Sequence, residues 1–359
     1  MDRHDVLGAR MRVKGKVQTV LGPIEPRELG ITLAHEHLLI DLSCYWAEPP
    51  EASTRAYVDR PVTIDMVGRM GWLWHVARAN LQNFDMNETL GEVKDFVLAG
   101  GNSIVDTTSI GLARDPLALA RISRATGLNI VMGAGYYVPP AHPKDIDDLS
   151  EDELCRRIVR DVTVGVGDTG IKSGVIGEIG NEYPLGDNEC KILRAAARAS
   201  VATGAPISIH TGPNDDSPME ILDVLVRAGA SPQRVIMGHL DHASSDPVKL
   251  RALAETGCFL EYDLFGIEGS NWDYVGTGGG TKNDTERIEA LELLAGLGHL
   301  DQVLVGHDAC QTNELVRGGA PGYGHILETV VPRLRDAGFS AEQVDAILVH
   351  NPARALAFV

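Results

Sequence analysis

Two histidines flank a glutamate at His35-Glu36-His37. In an extended segment the side chains alternate with period two, so both imidazoles project to one face and Glu36 to the other, a two-pronged clamp for a divalent metal. Further along, Glu178, His210, His239 and Asp308 each stand at or next to the end of a short apolar run. Any one of them reads equally well as a satisfied core histidine or a capping carboxylate. Together, four His, one Glu and one Asp supply the nitrogen and oxygen donors that Zn²⁺, Mn²⁺ or Co²⁺ accept, enough for two ions. Alternation at the last run puts Gly306 and Asp308 on one face and His307 on the other, so His307 is not expected to be a ligand. Gly177 and Gly238, beside two of the candidates, leave the backbone room to pack closely.

These residues need a scaffold that brings strand ends together. Eight apolar runs recur: 30–38 (GITLAHEHL), 102–109 (NSIVDTTS), 129–137 (NIVMGAGYY), 173–180 (SGVIGEIG), 206–212 (PISIHTG), 234–240 (RVIMGHL), 258–266 (CFLEYDLFG) and 302–310 (QVLVGHDAC). Between them lie stretches such as DPLALARISRATG, NECKILRAAARASVATG, SPMEILDVLVRAG and DPVKLRALAETG, which open on Asp, Asn or Ser and close on Gly, as helices do. Strand and helix alternating eight times predict an α/β fold, a (β/α)8 TIM barrel, with the candidate ligands at the C-terminal mouth where such barrels place their chemistry. No Pro-, Gly- or Ser-rich linker divides the chain, so residues 1–359 are read as a single domain, with a lead-in over 1–29 and a barrel over about 30–350. Long loops follow strands one and seven. All four Trp (46, 72, 74, 272) fall in them, which suggests an apolar pocket wall, or a rim helix packed on the barrel.

Composition excludes other classes. With 44% hydrophobic and 23% charged residues, the 359-residue chain is globular. Lys plus Arg number 32 against 50 Asp plus Glu, a formal charge of −18, which repels nucleic acid and anionic membranes. The five Cys are scattered without a CxxC pair, consistent with free thiols in a reducing compartment. No uncharged run approaches a membrane span, and the first residues lack an apolar signal region, so a cytoplasmic protein is expected.

The HEH, GVIGEIG, IHTG, GHLDH, LEYDLFG and GHD segments, with the VQTVLGPI lead-in and the closing NPARALAF, resemble the phosphotriesterase-related proteins of the amidohydrolase superfamily nearly end to end. GAGYY and GYGHIL resemble the branch that includes the animal members. The resemblance implies that His35, His37 and Asp308 hold a buried metal, that His210 and His239 hold a more exposed one, and that Glu178 bridges them. Founding members use a carboxylated lysine as the bridge; here the nearest Lys is Lys172, at the opposite end of the fourth strand. After GHLD the branch usually carries Arg, where this chain has His242.

Two ions sharing a water lower its pKa toward neutrality, which predicts a binuclear hydrolase whose nucleophile is a metal-bridging hydroxide. Asp308, facing the mouth, is the candidate proton acceptor. No Ser in a GxSxG elbow competes for the nucleophile role. Tyr137 matches the position where lactonases of this family orient substrate, with Tyr136 beside it. Arg317, in a glycine-rich loop with Tyr323 and His325, could hold a carboxylate or sulfonate. In strand seven, alternation turns either Tyr262 or the Glu261 and Asp263 pair toward the barrel, with no role evident. The expected substrate is a small carboxylic ester, lactone or N-acyl amide; a phosphotriester, or ligand binding with little turnover, are the alternatives. Homo-oligomers are common among such barrels.

Overall fold

The computed structural model describes residue 10, residues 13–268 and residues 280–359. Most of the loop expected after strand seven, with Trp272, lies outside the described residues.

All eight expected strands form: β1 (Thr32–Glu36), β2 (Ser103–Asp106), β3 (Asn129–Met132), β4 (Ile176–Gly180), β5 (Ile207–His210), β6 (Val235–Met237), β7 (Phe259–Tyr262) and β8 (Val303–Val305). Every ladder among them is parallel, β1 to β2 to β3 in one sheet and β4 through β8 in order in another. Hydrogen bonds also span the two seams: Gly174 N–H donates to Met132 O (2.9 Å) and Gly177 N–H to Ala134 O (2.5 Å) between β3 and β4, and Asp308 N–H to His35 O (3.2 Å) between β8 and β1. The result is a (β/α)8 barrel.

Among the described residues, one longer helix lies in each of the seven crossovers: α1 (Met86–Leu98), α2 (Pro116–Thr126), α3 (Glu151–Thr163), α4 (Asp187–Thr203), α5 (Ser217–Arg227), α6 (Pro247–Glu255) and α7 (Asp284–Gly296). Their ends follow the expected chemistry in part. Asp115 and Asp246 cap α2 and α6 by accepting backbone N–H bonds, and Gly127 and Gly204 close α2 and α4 in the left-handed conformation. Helix α5 begins at the expected Ser217, with Asp216 in the N-cap position, whereas α4 begins at Asp187, one residue before the expected Asn188. At α4 the N-cap is Gly186, whose N–H bonds the Glu189 carboxylate (2.7 Å), a local bond a residue-type rule does not anticipate.

Alternation sorts the strand residues into two cores. Ile104, Ile130, Ile176, Ile207 and Val235 join the helices in one large cluster, each buried aliphatic stabilising by about 1.5–3 kcal/mol. Ala34, Val105, Val131, Val175, Ile236, Phe259 and Leu304 form a separate cluster with Val17, Leu29, Ala355 and Leu356. This second cluster is the filled floor of the barrel, and it leaves the strand ends to carry polar groups. Register shifts fall between Leu33 and Glu36 in β1 and between Ile176 and Ile179 in β4. They let Ala34 and Val175 face the floor while His35, His37 and Glu178 face the mouth. Of the first long loop, Val67–Leu73 is helical; Trp74 is buried, whereas Trp72 is 66% exposed.

The β8–β1 approach leaves no space for a side chain at Gly306, where an added Cβ would stand 2.6 Å from the His35 carbonyl oxygen. Gly306→Ala is expected to destabilise the fold by about 1–3 kcal/mol. A urea titration should show a lower midpoint at unchanged slope.

Candidate metal centre

The six side chains expected from the sequence converge in one buried layer above the barrel floor. Glu178 stands between the two histidine pairs. Its Oε1 lies 3.2 Å from His37 Nε2, and its Oε2 lies 3.2 Å from His210 Nδ1 and 3.3 Å from His239 Nε2. Asp308 Oδ1 is 3.1 Å from His37 Nε2 and 3.6 Å from His35 Nε2, which is itself 3.6 Å from Glu178 Oε2. His239 (φ 55°) and Asp308 (φ 49°), just past β6 and β8, take the left-handed backbone conformation, unusual for residues with a Cβ. Gly238 makes the room expected of it: a Cβ there would come within 2.6 Å of Ile209 O and 3.0 Å of Asp263 Oδ2.

The outward nitrogens of the histidines are engaged as well. His37 Nδ1 is 2.8 Å from Thr108 Oγ1, His239 Nδ1 is 2.8 Å from Asp263 Oδ1, and His35 Nδ1 is 3.3 Å from both Glu261 Oε2 and Asp263 Oδ2. Such bonds fix the tautomer so that Nε2 faces the centre with its lone pair. Alternation in β7 thus selects the Glu261 and Asp263 pair, while Tyr262 turns outward to Ser244 (3.0 Å). Sequence reasoning left these two carboxylates without a role; their period-two spacing was the available signal. Thr108 gave none.

Charge in this layer is extreme. Burial would raise the Glu178 carboxyl, but His35 and the hydrogen bonds of His210 and His239 hold it well below the usual carboxylate range. Burial would lower the His37 imidazole, but the hydrogen bonds and charges of Asp308 and Glu178 push it up to about 9. Burial raises Glu261 to about 7, against the pull of His35. These carboxylates need a compensating cation, whether protons on the imidazoles or metal ions. The donor set fits metal. His35 Nε2 is buried without a hydrogen-bond partner. The donor spacings match the roughly 3.4 Å that separates tetrahedral ligands set about 2.1 Å from one ion. Among the described residues, the three-residue groups within reach of a single ion are His35, His37 and Asp308; His35, Glu178 and His239; and His35, Glu261 and Asp263.

Around the mouth, Leu42, Tyr45, Trp74, Tyr137, His242, Cys310 and Gln311 enclose about 20 Å³ beside His210, His239 and Asp308. Trp74 and Gln311 also wall a neighbouring cavity of about 210 Å³. Tyr137 OH stands 3.4 Å from His210 Nδ1 and accepts a bond from Tyr45 OH (3.2 Å), whereas Tyr136 packs into the helix-side core. Burial and the neighbouring His239 and His210 lower His242 to about 3, which keeps it neutral. Arg317 stands apart from this set. Its guanidinium pairs with Glu88 and donates to Asn83 Oδ1 (2.9 Å), so the anion contact expected there has no free donor face at the mouth. His325 bonds Asp284 (2.6 Å), and His307 bonds Glu36 (2.6 Å), on the far side of the barrel wall as alternation requires.

Asp263 links two histidines of the centre, so Asp263→Asn is expected to weaken divalent-metal affinity about 10–100-fold. Competition with a chelator measures it.

A family model described as the phosphotriesterase family matches residues 15–356. An N-acetyltaurine hydrolase of Xenopus tropicalis is 38% identical over 350 residues, covering 96% of this chain and 99% of the relative. Among solved structures, a resiniferatoxin-binding protein from Rhodobacter sphaeroides superposes with a TM-score of 0.92 at 36% identity, covering 96% of each chain. A lactonase from Listeria monocytogenes gives 0.77 at 27% identity, covering 96% of this chain and 99% of the other. With a match along nearly its whole length and hydrolases on both sides of the comparison, the chain belongs to the phosphotriesterase family, a family of binuclear metal hydrolases.

Proposed function

We propose that this protein hydrolyses a small carboxylic-acid derivative, an N-acyl amide or a lactone, at a centre of two divalent ions. His35, His37 and Asp308 would hold one ion, His210 and His239 the other, and Glu178 would bridge them. The observation that carries the reading is Glu178, whose two oxygens face different histidines, Oε1 toward His37 and Oε2 toward His210 and His239. Zn²⁺ is the favoured occupant, with Mn²⁺ or Co²⁺ compatible with the same donors. Bound there, such ions supply the acidity that makes water a nucleophile at neutral pH and polarise the scissile carbonyl.

The chain's own residues supply the rest. Asp308, the ligand with a side chain 13% exposed, reaches the mouth and accepts the proton of the attacking water. As the new C–O bond forms and the C–N or C–O bond to the leaving group breaks, the same carboxyl returns the proton to the departing amine or alcohol. Tyr137, held by Tyr45, presents its hydroxyl over His210, where it can orient the acyl group. Trp74, Leu42 and Tyr45 keep bulk water from the reacting atoms. The adjoining cavity accommodates the part of the substrate away from the bond that breaks. Relatives named for N-acetyltaurine hydrolysis support the amide class, and the lactonase neighbour supports the lactone class. Five free thiols support a reducing compartment, the cytoplasm, and no described helix is long and apolar enough to cross a membrane. The likeness to a protein named for binding resiniferatoxin favours a second reading, ligand binding with little turnover.

A panel of N-acyl amino acids and aminosulfonates, lactones and one aryl phosphotriester, assayed with Zn²⁺- or Mn²⁺-loaded protein by release of free amine for the amides and by proton release for the lactones and the phosphotriester, separates the readings. Turnover of an acyl class is expected. Turnover of the phosphotriester alone, or binding without turnover, overturns the proposal. Asp308→Asn is expected to cut turnover about 10²–10⁴-fold with the melting temperature nearly kept.

A further inference from the structure

Glu36, the middle residue of the His35-Glu36-His37 triplet, is fully buried and points away from both imidazoles. It touches none of the reacting groups. Its carboxylate instead grips the chain on both sides of Asp308. Oε1 accepts the His307 backbone N–H (2.9 Å) and stands 2.6 Å from His307 Nδ1; Oε2 accepts the Ala309 backbone N–H (3.2 Å). Ile326 N–H donates to His307 Nε2 (3.1 Å), which makes Nδ1 the protonated nitrogen and therefore a donor to Glu36. Tyr323 OH donates to the His37 carbonyl (2.8 Å), tying the same triplet to the segment that follows β8.

The segment so held is unusual. Asp308 lies at φ 49°, a conformation that a residue with a Cβ adopts only under constraint from its surroundings. It also lies at the β8–β1 seam, where Asp308 N–H to His35 O is a long 3.2 Å. Three donors converge on two carboxylate oxygens. An amide in place of the carboxylate would turn one of those contacts into a donor facing a donor.

We propose that Glu36 is the positioning residue for Asp308: by holding the peptide N–H on each side of it, Glu36 sets where the Asp308 carboxylate stands relative to His35 and His37. The role rests on the reading of Asp308 as metal ligand and proton acceptor given above, and Glu36 acts on it only through the backbone.

The test is a double-mutant cycle of Glu36→Gln and Asp308→Asn, read by Co²⁺ affinity in chelator competition, by the Co²⁺ absorption band, and by turnover. Glu36→Gln is expected to lower Co²⁺ affinity and turnover about 10–100-fold while KM stays within about 3-fold. In the Asp308→Asn background the same substitution should add almost nothing, because its route of action is already removed. Losses that multiply in the double variant, or a Glu36→Gln protein indistinguishable from wild type beside an impaired Asp308→Asn, overturn the role of Glu36 alone. An Asp308→Asn protein with wild-type affinity and turnover overturns the reading of Asp308 and the proposal with it. If Glu36→Gln does not fold, Glu36→Asp, which keeps the charge but is one methylene too short to reach both peptide N–H groups, enters the same cycle with the same expected non-additivity.

Discussion

Three buried carboxylates, Glu178, Glu261 and Asp263, and the half-buried Asp308 share one layer with four imidazoles, and no part of the mouth can be understood without the cost of that arrangement. An uncompensated buried charge costs several kcal/mol, so each carboxylate must find an imidazolium, a hydrogen-bond donor or a cation within a few ångströms. The layer solves this by sharing. Glu178 serves both histidine pairs, Asp263 serves His35 and His239, and His35 Nε2 keeps no hydrogen-bond partner of its own. A pair of divalent cations in the middle, as proposed above, would satisfy the same groups with fewer protons.

Such a layer works only on a rigid support. Below it, the apolar cluster from Ala34 to Leu304 fills the barrel and excludes water from beneath the donor layer. Around it, residues at the strand ends and on α7 hold the geometry: Glu36 with His307, Thr108 with His37, and the buried Arg287 of α7 with Asp241, whose carboxylate in turn accepts the Asp263 backbone N–H at 2.9 Å. Each strand end therefore does two jobs. One residue faces the centre and its neighbour in sequence anchors the backbone, and the register shifts in β1 and β4 adjust which residue does which.

The rim of the mouth is built by the loops. Tyr45, Trp74, Tyr137, Cys310 and Gln311 come from connections of differing length, and they leave a water-sized space at the centre beside a larger cavity. The polar groups of this rim are mostly already bonded to one another. Arg317 is the instructive case: as a loop cation it suited an anionic substrate, but Glu88 and Asn83, brought to it by α1 and the long first loop, take its donors.

The amino-acid sequence by itself determined the eight strands, the alternation with helices and all six members of the donor layer, because these follow from rules acting within a few residues. Period-two alternation orients HEH and GHD, apolar runs mark buried parallel strands, and Asp and Gly punctuate helices. Only the tertiary structure decided what depends on distant residues. The choice of Glu261 and Asp263 over Tyr262 was open until β7 met β1 and β6, and the pairing of Glu36 with His307 joins residues far apart in the chain. The loss of Arg317 to Glu88, and the separate fates of Trp72 and Trp74, were set by which loop packs on which. A hydrogen bond or an ion pair needs two partners at about 3 Å, and where those partners lie hundreds of residues apart, spacing along the chain carries no record of their meeting.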